Sequence, residues 1–195
     1  MTDRLHGTAR NVQPVPETAG AALRWRLAAE RIALADAAVV VLDTRLLALL
    51  ESTGYGRLRG QIRGLGDVTL ANLLALTGDP ARFDDARCLP KLAGSNPTER
   101  SSGERSAPGG ITRRGRPVLR LVAYQAAVNL VRHHPDFQAR FEALVHRPVR
   151  PLAKPAAYIA VANKLLRTLW VLAVSGADYR SEVARGEVRP APIAA

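Results

Sequence analysis

The sequence predicts an all-α fold, with a long N-terminal helix followed by a compact helical domain that holds a helix-hairpin-helix-like unit. Three observations lead there. Hydrophobic residues make up 47% of the chain but aromatics only 5%, so the apolar mass is Ala, Leu and Val, which suits packed helices more than sheets. Long stretches carry apolar residues at steps of three and four with no internal Gly or Pro. Gly and Pro instead gather between those stretches, where they punctuate.

The formal net charge is +11. A charge of that size attracts polyanions, which makes nucleic acid the economical partner. Membrane surface and ribosomal RNA satisfy the same arithmetic. The single cysteine, Cys88, has no partner for an internal disulfide, and no Cys/His cluster shows metal-ligand spacing. Cys88 therefore reads as a small buried hydrophobe in a reducing, cytoplasmic setting. Residues 1–19 lack an apolar signal-peptide core and read as a disordered lead-in. The longest fully apolar run is too short to cross a bilayer, so no membrane role is expected.

Residues 20–53 read as one long helix. Ala28, Ile32, Ala35, Val39, Leu42, Leu46 and Leu49 follow at alternating steps of four and three, the spacing of a stripe that faces a partner helix in a coiled coil. Leu27, Leu34 and Val41 widen that stripe, so packing within the chain is the rival reading. Gly54 and Gly56 stop the helix.

The compact domain spans 57–176. In its first part Leu58 and Ile62 lie on a short helix, Gly64-Leu65-Gly66 makes a tight turn, and Val68 to Leu76 forms a second helix. In a helix-hairpin-helix unit such glycines let the backbone approach a phosphate that faces the helix N-terminal amides. Gly64 and Gly66 are therefore candidate nucleic-acid contacts, and a helical turn that merely packs is the bland alternative. Leu70 stands where such motifs usually place alanine. Gly78-Asp79-Pro80 ends the second helix, with Asp79 extended before proline. Asp84 reads as an N-cap for a short helix over 85–92 with Cys88 and Leu89 inward.

From Asn96 to Arg120 the composition reads as a loop, because Gly, Pro and Ser at this density give turns rather than an element interior. It holds Ser101-Ser102 before Gly103, the pair Gly109-Gly110, and Arg100, Arg105, Arg113, Arg114, Arg116 and Arg120 against only Glu99 and Glu104. A loop of that kind suits an anion; a solvated arginine-rich loop is the plainer reading. Pro117 opens a helix to Arg132, and cations at its start oppose the dipole unless an anion sits there. His133 and His134 read as helix-end cap or surface residues. A helix over 136–144 stacks Phe137 and Phe141. An apolar helix over 156–174 carries Lys164, Arg167 and Trp170 and packs on the Pro117 helix, with Lys164 and Arg167 as candidate backbone contacts. Gly176 ends it, Tyr179 covers the core, and 181–195 reads as a flexible tail.

Taken together, IRGLGDVTLANLLALTGDPARF, ARCLPKLAGSNPTERSSG, GGITRRGRPVLRLVAYQAA and NKLLRTLWVL resemble the C-terminal domain of bacterial insertion-sequence transposases of the IS116/IS110/IS902 type. The resemblance covers roughly Leu27 to Tyr179. It implies a site-specific DNA recombinase that moves an insertion sequence, a mobile element, with a structured guide RNA bridging donor and target. A coiled coil joins subunits in that family, giving a homodimer or association with an intact transposase. The Ser102-Gly103 step matches the catalytic position, with Ser101 the lesser candidate. The implied chemistry is serine attack on a DNA phosphodiester, with Arg100, Arg105, Arg113 and Arg114 stabilising the transferring phosphoryl group.

The sequence departs from the family pattern in places. The family's acidic RuvC-like domain, with its four ligands for Mg²⁺, has no counterpart here, so no cofactor is expected for these residues. Arg116-Pro117 and Pro90-Lys91 replace common family pairs. The resemblance thus implies a truncated copy, nucleoid-associated in a bacterium, that binds nucleic acid yet does not recombine alone. The alternatives are a non-catalytic helix-hairpin-helix binding module and a structural helical protein whose charge only solvates it.

Overall fold

A computed structural model describes residues 19–102 and 105–180; the side chains of residue 19 and of residues 99–109 fall outside that description. Of the lead-in expected over 1–19, residues 1–18 lie outside the described residues and Ala19 already belongs to the first helix; the tail expected over 181–195 lies outside them as well. Two compact units divide the chain, Met1–Thr44 and Arg45–Ala195.

The division falls within the first helix, α1, Ala19–Ser52. Ala, Leu, Arg and Glu sustain it, since these residues lose little side-chain freedom in a helix. Gly54, at φ +77°, turns the chain out of it. Much of the apolar stripe expected on this helix, and of the residues that widen it, stands in solvent: Ile32 is 62% exposed, Leu34 74% and Leu42 64%. Among the described residues, Leu46 and Leu47 near the end of the helix are half-buried and Leu50 is buried in the core of the second unit.

The second unit is built on α4 (Pro117–His133) and α6 (Lys154–Ser175), which pack along one another. Against them lie α2 (Asp67–Thr77), α3 (Cys88–Ala93) and α5 (Pro135–Val145). Leu119, Leu130, Val161, Leu165, Leu166 and Leu172 are wholly buried, and each such leucine removed from water stabilises the fold by roughly 2 kcal/mol before entropy is counted. By length and composition α6 could cross a membrane, but 56% of that stretch is buried in the protein; its apolarity is that of a core helix. Trp170 donates its ring N–H to the Phe83 carbonyl at 2.9 Å, and Tyr179 covers the core as the sequence suggests, donating its hydroxyl to Asp136 at 3.1 Å.

Two local expectations are corrected and a third holds. The short helix at Leu58–Ile62 is a single 3-10 turn, Gly56–Leu58, followed by turns up to Gly64; Gly60 at φ +69° and Gly64 at φ +89° interrupt a stretch too short to nucleate a helix. Asp84 caps nothing: Asp85 instead accepts from the Arg87 amide at 2.7 Å, delaying the helix start to Cys88, whose side chain is only half-buried. Asp79 is extended as expected and accepts from the Ala81 amide at 2.9 Å.

The largest correction concerns the stretch read as a loop, within a fold that is predominantly helical as expected. Pro97–Ser102 (β1) and Arg105–Ile111 (β2) form a two-stranded antiparallel hairpin in an otherwise helical protein. The glycine pair is not a turn. The register passes from Pro97↔Ile111 to Glu99↔Pro108, so β2 carries an extra residue at Gly109-Gly110, and Gly110 sits at φ +83°, the left-handed position of a β-bulge that glycine fills without strain.

Candidate nucleic-acid interface

The hairpin presents its serines at the closed end of the ladder. Ser101 pairs with Ser106 and Ser102 with Arg105, while Arg100 pairs with Ala107. These are backbone positions; the side chains of Ser101, Ser102, Arg100 and Arg105 fall outside the described residues.

The open end of the hairpin is rooted in the helical core. Thr112 N–H donates to the Asn96 carbonyl at 3.0 Å, Arg113 N–H to Gly94 at 2.9 Å and Arg116 N–H to Leu92 at 2.8 Å. These bonds hold the strand leaving the hairpin against the C-terminus of α3, where Gly94 takes the left-handed conformation of a helix C-cap. From the other side, buried Asn163 on α6 donates to the Ser95 carbonyl at 3.0 Å, and the Ser95 hydroxyl points back to the Asn163 carbonyl oxygen. Nothing in the sequence marked Asn163 beyond its place in the quoted NKLLRTLWVL run, because its partner lies 68 positions away.

The six candidate arginines separate into three groups. Arg113 and Arg114 are exposed at the hairpin root, Arg113 with a backbone φ of +54° that costs a non-glycine residue about 1 kcal/mol. Arg116 and Arg120 each spend a donor on a helix end: Arg116 on the Leu76 carbonyl at 2.5 Å and Arg120 on the Ala93 carbonyl at 2.9 Å. Cations at helix C-termini satisfy orphan carbonyls and the dipole together, and a guanidinium keeps further donors for a ligand. Arg100 and Arg105 complete the set along the hairpin backbone.

Beside the root lies a groove of about 420 Å³ that includes Arg113, Arg120 and Tyr124. A second groove, of about 410 Å³, runs between α2 and α4 past Gly64, Thr69, Asn72, Gln125, Asn129 and Arg132. Gly64 is needed there for packing, since a Cβ would lie 2.9 Å from the His133 Cβ, and its carbonyl accepts from Asn129 at 2.8 Å. Gly66 faces open space and precedes α2, whose first turn holds Asp67, paired with Arg59 at 2.9 Å. Leu70, at 1% exposure, is absorbed into the core.

Lys164, next to the root-binding Asn163 on α6, has Arg140 and Arg167 as cationic neighbours. Burial pushes its ammonium below the ordinary lysine value, and those two arginines push it further. His133 is exposed; His134 is buried and caps α5, its Nδ1 accepting from the Asp136 amide at 3.3 Å. Among the described residues no group of three or more His, Cys, Asp or Glu side chains is placed to hold a metal ion.

Residues 57–142 match the family model of the transposase IS116/IS110/IS902 family. A protein of Sinorhizobium fredii described as a transposase, y4pF/y4sB, is 28% identical over 73% of this chain and 37% of its own length. The transposase for insertion sequence element IS1111A of Coxiella burnetii is 29% identical over 61% of the chain and 33% of its own length. A protein of Pseudomonas aeruginosa described as a probable family 20 transposase is 25% identical over 92% of the chain and 53% of its own length. The chain thus spans between a third and about half of the curated relatives it matches. The matched stretch contains α2, α3, the whole hairpin, α4 and most of α5, so most of the elements around the candidate interface, α6 excepted, lie where the chain shows a family-level relationship to the IS116/IS110/IS902 transposases.

Proposed function

We propose that this chain is a DNA-binding module of a site-specific transposase, in which Ser102 on the hairpin attacks a DNA phosphodiester. The single observation that carries the reading is the hairpin itself: it lies within the family match, its last rung pairs Ser102 with Arg105, and its root is locked to the helical core. A nucleophile needs a defined approach, and a rooted hairpin supplies one where a free loop would not. In the proposed step the Ser102 Oγ–P bond forms, one sugar–phosphate ester bond breaks, and the departing sugar oxygen takes a proton; the hydroxyl proton leaves to a base. Arg100, Arg105, Arg113 and Arg114 offset the charge on the phosphoryl oxygens. Ser101 is the secondary candidate.

The resemblance also implies an acidic Mg²⁺-binding domain, a guide RNA and subunit association. Each belongs to the proposal: metal chemistry comes from an acidic domain of the same or a partner polypeptide, and the chain alone does not recombine DNA. The exposed stripe of α1, with Ile32, Val39 and Leu42 in solvent, supports pairing with a second copy or with an intact transposase as a coiled coil.

The amide-rich groove between α2 and α4, together with open Gly66, favours a second reading, a non-catalytic nucleic-acid-binding module. A covalent-trapping assay separates the two. Element-end DNA is incubated with the chain plus an acidic-domain-bearing relative, and denaturing gels are read for protein–DNA adducts; an adduct abolished by Ser102→Ala is expected. Salt-sensitive binding without an adduct would leave the binding module as the function.

A further inference from the structure

We propose that the groove at the hairpin root is a pocket for one unpaired nucleotide of the bound strand, with the base against Tyr124 and the phosphate between Arg113 and Arg120. This rests on the nucleic-acid reading above and adds what that reading lacks, a demand for an unpaired base. The groove holds about 420 Å³, within the range of sites that take a small organic ligand. Its lining divides by chemistry. Ile111, Leu121, Tyr124 and Ile159 make an apolar wall, and Arg113 and Arg120 supply two guanidiniums, with no carboxylate among the described lining residues. An apolar metabolite would leave both cations without a role, and a bare phosphate would leave the wall without one. A nucleotide uses both.

The geometry is held in place before any ligand arrives. The Arg120 guanidinium is anchored by its bond to the Ala93 carbonyl at 2.9 Å, so little side-chain entropy remains to be lost on binding. Tyr124 meets Tyr158 edge to face, ring centroids 5.8 Å apart, which fixes its plane, and Tyr158 is in turn held by Phe141 at 4.5 Å. Leu121, 56% exposed, adds apolar surface to the lining. The Arg113 backbone, from which its guanidinium projects, is held by its amide bond to the Gly94 carbonyl. A base inside a duplex offers only its edge, whereas an unpaired base offers a face for stacking on an aromatic ring.

The pocket is not the point of attack. Ile111 pairs with Pro97 in the rung at the root, while Ser102 closes the ladder, roughly 17 Å further along the strand at about 3.4 Å per residue. A single strand covers that span in a few nucleotides. The unpaired nucleotide therefore sets the register of the strand against Ser102.

The full chain is titrated with DNA carrying one unpaired 2-aminopurine nucleotide, with the fully paired duplex of the same sequence, with the RNA counterparts, and with free thymidine monophosphate. Expected are fluorescence quenching on binding and an affinity for the unpaired DNA about tenfold above that for the duplex, the size of a base–aromatic stack. Tyr124→Leu, which keeps most of the packing volume against Tyr158, removes both effects, so that unpaired and paired DNA bind alike, and Tyr124→Trp restores them. Arg113→Gly, which also relieves the positive φ, lowers affinity for the unpaired strand severalfold. Preference for RNA would assign the pocket to an RNA strand; binding of the free nucleotide alone would overturn the strand assignment. Equal affinity for paired and unpaired DNA in all variants would sink the pocket and spare the nucleic-acid reading. Absence of any nucleic-acid binding at low salt would sink both.

Discussion

Gly115 packs its backbone directly against that of Gly94, so that a Cβ at Gly115 would stand 2.4 Å from the Gly94 nitrogen and 2.4 Å from the Leu92 carbonyl oxygen. The relationship is reciprocal: a Cβ at Gly94 would meet the Arg114 carbonyl carbon at 2.9 Å, at a φ of +65° that only glycine adopts freely. Two bare backbones thus interlock where the hairpin joins the helices, and the hydrogen bonds of Arg113 and Arg116 form only because they do. Gly115→Ala has backbone, not a flexible side chain, to displace. It should destabilise by about 2–3 kcal/mol, seen as a fall in Tm of about 4–12 °C. Gly20→Ala, in α1 with nothing within 4 Å of the added Cβ, should do the opposite and stabilise by about 0.5–1 kcal/mol. Equal and small effects at the two sites would mean that the root is looser than its geometry.

Asn163 ties the same root to α6. Its amide answers two groups of buried Ser95, the carbonyl and the hydroxyl, so Asn163→Ala leaves polar atoms in the interior without partners. Such a loss costs about 1–3 kcal/mol. Exchange at the Thr112 amide, bonded to Asn96, should quicken more than exchange within α4 and α6. Uniform quickening across the domain would instead make Asn163 a general core residue.

These contacts show what the sequence could and could not reveal. Helix ends marked by local chemistry were legible: Pro117 starts α4, and Gly176 ends α6 in the left-handed conformation. Asp79 before Pro80 behaved as the dipeptide dictates. The hairpin was not legible, because PTERSS and RSAPGGI have no apolar alternation; its register comes from pairing across the strands and from a root supplied by residues far along the chain. Arg116 and Arg120 looked like free cations at a helix start, yet each caps another helix, 40 and 27 positions away. The apolar stripe of α1 was visible, but its period alone did not choose between a partner chain and the chain's own core, and within the described residues only the end near Leu50 finds the core.

The exposed part of that stripe makes a direct prediction. Ile32 and Val39 share one face, 62% and 53% exposed, so charging them disturbs little within the protomer, where surface changes usually stay within about 0.5 kcal/mol. In the paired state they would face a partner helix, where a buried unpaired charge is costly. Ile32→Glu/Val39→Glu should therefore turn a dimer into a monomer in sedimentation equilibrium with unchanged Tm of the second unit. A wild-type chain that is monomeric at tens of micromolar would remove the coiled coil from the proposal.

His134 supplies a pH dependence that can be isolated. Its ring is 6% exposed as a residue, packed edge to face on Phe137 and Tyr179, and its Nδ1 accepts the Asp136 amide that begins α5. Burial lowers its pKa from the ordinary 6.5, Asp136 opposes that shift, and Arg63 adds to it. The folded protein therefore binds this proton less readily than the unfolded chain. Stability from the neutral ring is fully present above about pH 6.5, is lost as pH falls below that value, and stops falling once pH passes below the folded pKa. Protonation also removes the lone pair on Nδ1 that caps the helix, so the electrostatic and capping losses coincide. His134→Asn keeps an N-cap acceptor without a titrating ring. Its Tm should thus change less between pH 7 and pH 5 than that of the wild type, with the difference between the two curves growing as the pH is lowered. Parallel curves would show that the Asp136 carboxylate compensates fully and that the buried ring carries no net proton penalty.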